Sequence, residues 1–122
     1  MDKIPSMVDA MPQLLTALKA IEGATVDRRW PRSQLDGDTV ILTEITNNNT
    51  ANRVVDSLAF QLDVWCADPD RADEISVQAD EIMTGIGLRR TASQPVSIDD
   101  FGYRATKRYS RRVDKRYMRL VD

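Results

Sequence analysis

The side chains able to do chemistry in this sequence are carboxylates, guanidinium and amino groups, and one thiol, because its 122 residues include no histidine. That absence excludes catalytic triads and dyads built on histidine, and also the commonest zinc ligand sets. Cys66 cannot form an internal disulfide and lies in an apolar run, so we expect a buried structural thiol in a reducing compartment. Carboxylate or lysine chemistry remains open.

Aspartates occur at two places where a metal site is conceivable. Asp68, Asp70 and Asp73 lie close together, but they lack the spacing and the closing glutamate of a calcium-binding hand, and helix capping explains them better. A nuclease-like metal pair needs Asp63 beside the aspartates at 99–100, and nothing in the sequence places them together. We therefore expect no enzyme, no cofactor and no metal, and keep a carboxylate- or metal-dependent enzyme as the least favoured alternative.

Charge is separated along the chain although the net charge is only -2. Acidic residues dominate 56–84, namely Asp56, Asp63, Asp68, Asp70, Asp73, Glu74, Asp80 and Glu81. Basic residues dominate 101–122, namely Arg104, Lys107, Arg108, Arg111, Arg112, Lys115, Arg116 and Arg119. The whole protein therefore offers no bulk attraction to nucleic acid or anionic lipid. The distribution of charge between the two segments is more informative than the net charge.

An amphipathic helix is predicted near the start of the chain. Its apolar stripe has helical spacing and consists of Met7, Met11, Leu14, Leu18 and Ile21. Ser6 or Asp9 is placed to cap it, Pro12 fits only in the first turn, and Gly23 is placed to end it.

Three strands are predicted next. A weak edge strand at 24–30 is closed by Pro31, and a firmer strand at 39–45 is rich in β-branched residues. The polar segment 46–52 then predicts a flexible loop. In the following strand one face carries Val54, Leu58, Phe60, Leu62, Val64 and Cys66, and the other carries Val55, Ser57, Ala59, Gln61, Asp63 and Trp65. We expect the first face to be buried and the second to be partly wet.

A second helix and two further strands complete the prediction. The helix starts at 68–70, is acidic on its outer surface and ends near Gly85 or Gly87. A strand at 88–92, a break at 93–95 and a turn at 99–100 lead to a last strand at 103–113, for which a helix is the alternative. The expected fold is α+β, with one antiparallel or mixed sheet of about four to five strands packed against two α-helices. The length fits one domain spanning 1–122.

Several segments together resemble the tail-completion proteins, or tail terminators, of long-tailed bacteriophages. They are Phe-Gln-Leu-Asp-Val-Trp at 60–65, Asp-Pro-Asp at 68–70, Gly-Leu-Arg-Arg-Thr at 87–91, Tyr-Arg at 103–104 and Arg-Tyr at 108–109. Together with the order of the elements, the resemblance covers nearly the whole chain. It implies a six-membered ring that caps the finished tail tube and joins it to the head connector or stopper protein, with DNA passing through and no active site.

Three groups of residues are predicted to carry this assembly role. The first is an interface with a copy or partner, comprising Trp65, Asp73, Asp80, Glu81, Arg104, Arg108, Arg111 and Arg112. The second is a flexible docking loop of Asn47, Asn48, Asn49 and Thr50, for which a plain hairpin tip is the alternative. The third lines a DNA channel without base readout and comprises Arg89, Arg90 and Lys107. The alternatives for these basic residues are a solvated strand face and a contact between subunits with the acidic surface of the second helix.

The expected location is the head–tail junction of the virion, and the host cytoplasm during assembly. The start of the sequence lacks the basic and then apolar build of a signal peptide, and no apolar run is long enough to cross a bilayer, so no membrane is expected. Two other functions stay open: a neck or head-completion protein of the same virion, and a small nucleic-acid-binding module that uses the basic C-terminal strand.

Overall fold

The computed structural model describes residues 10–29, 37–49, 55–114 and 119–121. In chain order the elements are α1 (Met11–Leu18), β1 (Thr25–Asp27), β2 (Thr39–Asn49), β3 (Val55–Cys66), α2 (Pro69–Ile86), β4 (Arg89–Asp99), β5 (Gly102–Asp114) and β6 (Arg119–Val121). Neither of these described helices has the length and hydropathy needed to span a bilayer.

The strands form one mixed sheet with the order β1-β2-β3-β5-β4, and the short β6 pairs with the end of β5. The edge strand β1 runs parallel to β2, whereas the other pairs are antiparallel. The predicted α+β fold with one sheet and two helices is confirmed. β3 is the central strand, with β2 hydrogen-bonded on one side and β5 on the other.

The helices pack on one face of the sheet, which we call the helix face. On β3 the helix face carries the predicted buried residues Leu58, Phe60, Leu62, Val64 and Cys66. The helices add Met11, Leu14, Leu18, Ala72, Ile75, Ala79 and Met83, and β5 adds Ala105, Tyr109 and Val113. Burial of these apolar side chains is the main term that favours the folded chain.

Helix α2 begins and ends where the sequence predicts. The Asp68 carboxylate accepts the backbone N–H of Asp70, and Pro69 occupies the first turn, where no N–H is needed. Gly87 ends the helix in the left-handed conformation, with its N–H bonded to carbonyls of the last turn.

Helix α1 is shorter than predicted. It ends at Leu18 instead of near Gly23, because the N–H groups of Ala20 and Ile21 bond back only three residues, to Ala17 and Leu18. Pro12 lies in the first turn as expected. The predicted caps at 6 and 9 lie outside the described residues.

The predicted loop at 46–52 is wrong in its first part. β2 continues after a bulge between Glu44 and Thr46, and Asn47, Asn48 and Asn49 pair with Leu58, Ser57 and Asp56 of β3. Asparagine has low strand propensity, but the backbone beside a long central strand gains ladder hydrogen bonds, which outweigh it. Thr50, the last residue of the predicted docking loop, lies outside the described residues.

The C-terminal strands also differ from the prediction in detail. The expected break at 93–95 lies inside β4, where the register shifts between Gln94 and Ser97 while the strand continues to Asp99. The last predicted segment is a strand, β5, and not a helix. β6 was not predicted.

The turn before β5 makes Gly102 sensitive to substitution. Its φ of +132° belongs to glycine, and an added Cβ would lie 2.8 Å from the Cys66 carbonyl oxygen. We expect Gly102→Ala to lower the free energy of unfolding by about 3 kcal/mol, measured by urea denaturation. The control is Gly85→Ala in α2, where an added Cβ meets nothing within 4 Å. This control should be neutral or gain up to about 1 kcal/mol. Equal stability of the two variants would contradict the conformation of the turn.

Two ionisable groups are buried on the helix face, the Cys66 thiol and the Tyr109 hydroxyl, and we expect them to lower the stability of the protein at alkaline pH. Burial, followed by the nearby charge of Asp38, raises the pKa of Cys66 from 9.0 to about 12. Burial, followed by its hydrogen bond to Asp80, raises the pKa of Tyr109 above its usual 10.0. Above these usual values the unfolded chain binds fewer protons than the folded chain, so the free energy of unfolding falls as pH rises.

Each group then contributes a slope of up to about 1.4 kcal/mol per pH unit once the pH exceeds its unfolded pKa. Between pH 8 and 10 we expect Cys66→Ala to flatten the fall of stability, measured by urea denaturation at each pH. The comparison uses slopes, because the substitution also changes packing by a constant amount. An unchanged slope in the Cys66→Ala variant would contradict the buried thiol.

Candidate functional site

The face of the sheet opposite the helices, which we call the second face, contains a buried carboxylate. Asp63 is fully buried, and its Oδ1 accepts from Arg104 Nε at 2.9 Å and from Thr106 Oγ1 at 2.6 Å. Arg104 Nη2 also lies 2.8 Å from Oδ1, and Gln61 Nε2 donates to Oδ2 at 2.9 Å. Both oxygens of Asp63 are therefore used inside the chain.

Trp65 extends this network, and of the two roles that the sequence leaves open for it, a partner contact or a core position, the structure shows the core position. It is 1% exposed, and its indole N–H donates to Asp99 Oδ2 at 2.8 Å. Phe101 meets the ring edge-on with centroids 6.3 Å apart, and the Arg104 guanidinium lies 5.0 Å from the ring centroid. The chain itself covers Trp65, so the expectation of a partner contact at this position is corrected.

Three of the aspartates considered for a metal site, Asp63, Asp68 and Asp99, have structural roles. Asp63 accepts from Arg104, whereas Asp99 accepts from the Trp65 indole N–H and, through Oδ1, from the N–H of Phe101, which holds the turn. Asp68 caps α2. Across residues 10–29, 37–49, 55–114 and 119–121, no group of three or more Cys, Asp or Glu side chains is placed to hold a metal ion.

Three arginines form a cluster on the second face, which we call the basic patch and define as Arg89, Arg108 and Arg112. Arg108, Ser110 and Arg112 alternate onto this face of β5, and the register pairs Arg89 of β4 with Ser110. Arg89 therefore lies between the other two arginines, with diagonal neighbours about 7–8 Å apart at Cα.

The basic patch is exposed, and its arginines form no ion pair within the described residues. Arg108 Nε donates to Gln61 Oε1 at 3.1 Å, which ties the patch to the buried network of Asp63. The residues paired with Arg108, Ser110 and Arg112 in the neighbouring strands are Ser57, Ala59, Gln61, Arg89, Ala92 and Val121.

The other predicted basic residues are distributed differently. Lys107 and Arg90 lie on the helix face, where Lys107 Nζ donates to Ser93 Oγ at 2.8 Å and Arg90 pairs with Asp80 at 2.9 Å. Half-buried Arg111 also lies on that face, opposite Leu58. The predicted channel set is therefore split: Arg89 joins the basic patch, while Arg90 and Lys107 point the other way.

Helix α2 carries an acidic stripe, which we define as Asp70, Asp73, Val77 and Glu81. Successive members are three or four residues apart, so they lie on one side of the helix, and all are exposed. None of these three carboxylates forms an ion pair within the part of the chain that the structure describes.

Asp80, predicted as an interface residue, is instead an internal anchor. Its Oδ1 accepts the Tyr109 hydroxyl at 2.7 Å and its Oδ2 accepts from Arg90 at 2.9 Å. Of the predicted acidic interface residues, Asp73 and Glu81 remain on the surface.

The two charged surfaces point away from each other. The inner side of α2, with Ile75, Ala79 and Met83, packs on the helix face of the sheet, so the acidic stripe is directed outward from that side. The basic patch lies on the second face. One chain therefore cannot neutralise its own patch with its own stripe.

Comparison with known proteins adds no relative. No protein-family model matches the sequence, and no curated protein shows significant sequence similarity to it.

Proposed function

We propose that this protein is a structural protein of a long-tailed bacteriophage, which assembles as a ring that caps the tail tube and joins it to the head connector. The observation that carries the proposal is the pair of oppositely charged surfaces on opposite sides of the chain, whose charged groups form no ion pairs within the described residues. The resemblance of the sequence to tail-completion proteins supports the location in the virion.

A ring suits these surfaces for a geometric reason. In a ring, one surface of each subunit meets a different surface of the next, and the contacts repeat until the circle closes. Opposite charges on the two surfaces orient incoming subunits and raise the association rate. Two basic patches, or two acidic stripes, repel each other, and this repulsion disfavours a dimer in which the same surface of both copies meets.

We propose a structural role and not an enzymatic one. Asp63, Asp68 and Asp99, the most enzyme-like carboxylates, are engaged in a buried ion pair, a helix cap and a turn. A carboxylate whose oxygens accept hydrogen bonds within the fold is poorly placed to contact a substrate.

The test is binding to isolated phage tail tubes that lack their terminal cap. The purified chain should sediment with the tubes, and negative-stain electron microscopy should show added density at one tube end. Binding to the connector alone would favour the neck or head-completion alternative. A chain that binds neither tubes nor connectors would overturn the proposal, whereas a free monomer in solution would not, because the tube can serve as the template.

The basic patch also favours a second candidate, a small nucleic-acid-binding module. Three exposed arginines that form no ion pairs within the described residues attract phosphates without reading sequence. Fluorescence anisotropy with a duplex DNA of arbitrary sequence tests this candidate. Binding at low ionic strength that weakens steeply with added salt would support it, and the absence of binding at low ionic strength would remove it.

A further inference from the structure

We propose that the basic patch of one copy binds the acidic stripe of the next copy, so that Arg108 and Arg112 face Asp73 and Glu81. The proposal rests on the proposed ring and specifies the contact that builds it. The occupant of the patch is a second copy of this chain, because the chain carries a matching surface that it cannot reach itself.

Charge supplies the first reason. Three guanidinium groups held near one another on a sheet repel, and this repulsion is relieved when carboxylates approach. Asp70, Asp73 and Glu81 offer such carboxylates from an exposed helix surface. The patch and the stripe therefore each gain from contact with the other.

Dimensions supply the second reason. Arg108 and Arg112 are four residues apart on a strand, which corresponds to about 13 Å. Asp73 and Glu81 are eight residues apart on a helix, which corresponds to about 12 Å. The two charged pairs can therefore meet at both ends of one contact.

The centre of the contact fits as well. Ser110 lies midway between the two arginines, and Val77 lies midway between the two carboxylates. Val77 is 48% exposed, one of the large apolar side chains left on the surface. Ser110 and its β3 partner Ala59 are small, so the valine side chain can pack over them, beside Arg89 on β4 and between the flanking ion pairs.

Charge reversal tests the contact. The first variant, Arg108→Glu with Arg112→Glu, has two acidic surfaces, and the second, Asp73→Lys with Glu81→Lys, has two basic surfaces. We expect each variant alone to lose more than about tenfold of the wild-type association constant at low ionic strength. Association is measured by sedimentation velocity of the free chain, and on capless tail tubes if the free chain is monomeric.

Mixing the two variants is the decisive experiment, because it tests whether opposite charges restore association. In the mixture every junction joins opposite charges, so association should recover to near the wild-type level in an alternating ring. The control, Arg28→Glu with Lys107→Glu, carries the same charge change as the first variant but lies off the patch, and it should associate like the wild type. Thermal melting of each variant establishes that it is folded, and the single reversals Arg112→Glu and Glu81→Lys replace any double variant that is not.

The outcomes separate this contact from the proposed function. If the wild type caps tubes and the folded reversal variants do so equally well, the contact is wrong and the proposed function stands. The same holds if reversal removes DNA binding and leaves association unchanged, because DNA is then the occupant of the patch. If the wild type associates with neither itself nor tubes, both the contact and the proposed function fail.

Discussion

Replacing Asp63 by alanine is expected to lower the free energy of unfolding by about 3–5 kcal/mol. The reason is that Asp63 is fully buried and satisfies hydrogen-bond donors of Gln61, Arg104 and Thr106. Without the carboxylate, Arg104 loses this ion pair and the two neutral donors lose their acceptor, in a region where Thr106 is buried.

Chemical denaturation with urea measures the effect, and two variants sharpen it. Asp100→Ala removes an exposed carboxylate in the turn after β4 and should change stability by less than about 0.5 kcal/mol. Adding Arg104→Met to Asp63→Ala should restore part of the lost stability, because the double variant also removes the charge that Asp63 balances in the wild type. Additive losses in the double variant would show that the two side chains do not interact.

The second large effect is expected at Trp65. Trp65→Ala should cost about 3–5 kcal/mol of stability, because it removes a fully buried ring from beside Phe101 and Arg104. Trp65→Phe keeps most of the ring and loses the N–H bonded to Asp99, so its cost should be about 1–3 kcal/mol. Thermal and urea unfolding measure both variants.

Trp65→Phe also decides between two roles for this residue. If Trp65 supports the fold from within, the folded variant should associate with copies and with tail tubes like the wild type. A loss of association without a loss of stability would mean that Trp65 contacts a partner, as the sequence pattern suggested, and would contradict its coverage by the 99–101 turn.

The elements with strong local signals could be predicted from the sequence. Asp68 and Gly87 delimit α2 because a capping side chain and a left-handed glycine act within a few residues of each other. The alternation of Leu58, Phe60 and Leu62 identified the buried face of β3 for the same reason, since strand periodicity is local. The positive charge of the last predicted strand can be read directly from the arginines and lysines in its sequence.

What the sequence could not give depends on contacts between distant segments. Asparagines at 47–49 predict a loop, and only the register with β3 places them in a strand. Trp65 falls on a face that reads as partly wet, and its burial arises from Phe101 and Arg104, far away in the chain. The sequence pattern places Asp63 and Thr106 within predicted strands, but it does not show that the two residues are opposite each other in neighbouring strands.

The division of the basic residues is the clearest example. Arg104 and Arg108 share a face of β5 by alternation, but only the pairing with β3 shows that Arg104 meets Asp63 while Arg108 meets neutral Gln61. Arg89 and Arg90 are adjacent in sequence and point to opposite faces of the sheet. The basic patch therefore depends on the register of the strands, which cannot be obtained from the amino-acid composition.

The most direct test of the proposed ring is to measure the mass of this protein bound at the end of a capless tail tube. We expect several copies at each end, in a fixed number set by closure of the ring, and a mass that is a whole multiple of 13.8 kDa. A single bound copy per tube end, or copies spread along the tube in variable number, would contradict a function that depends on contacts between neighbouring copies.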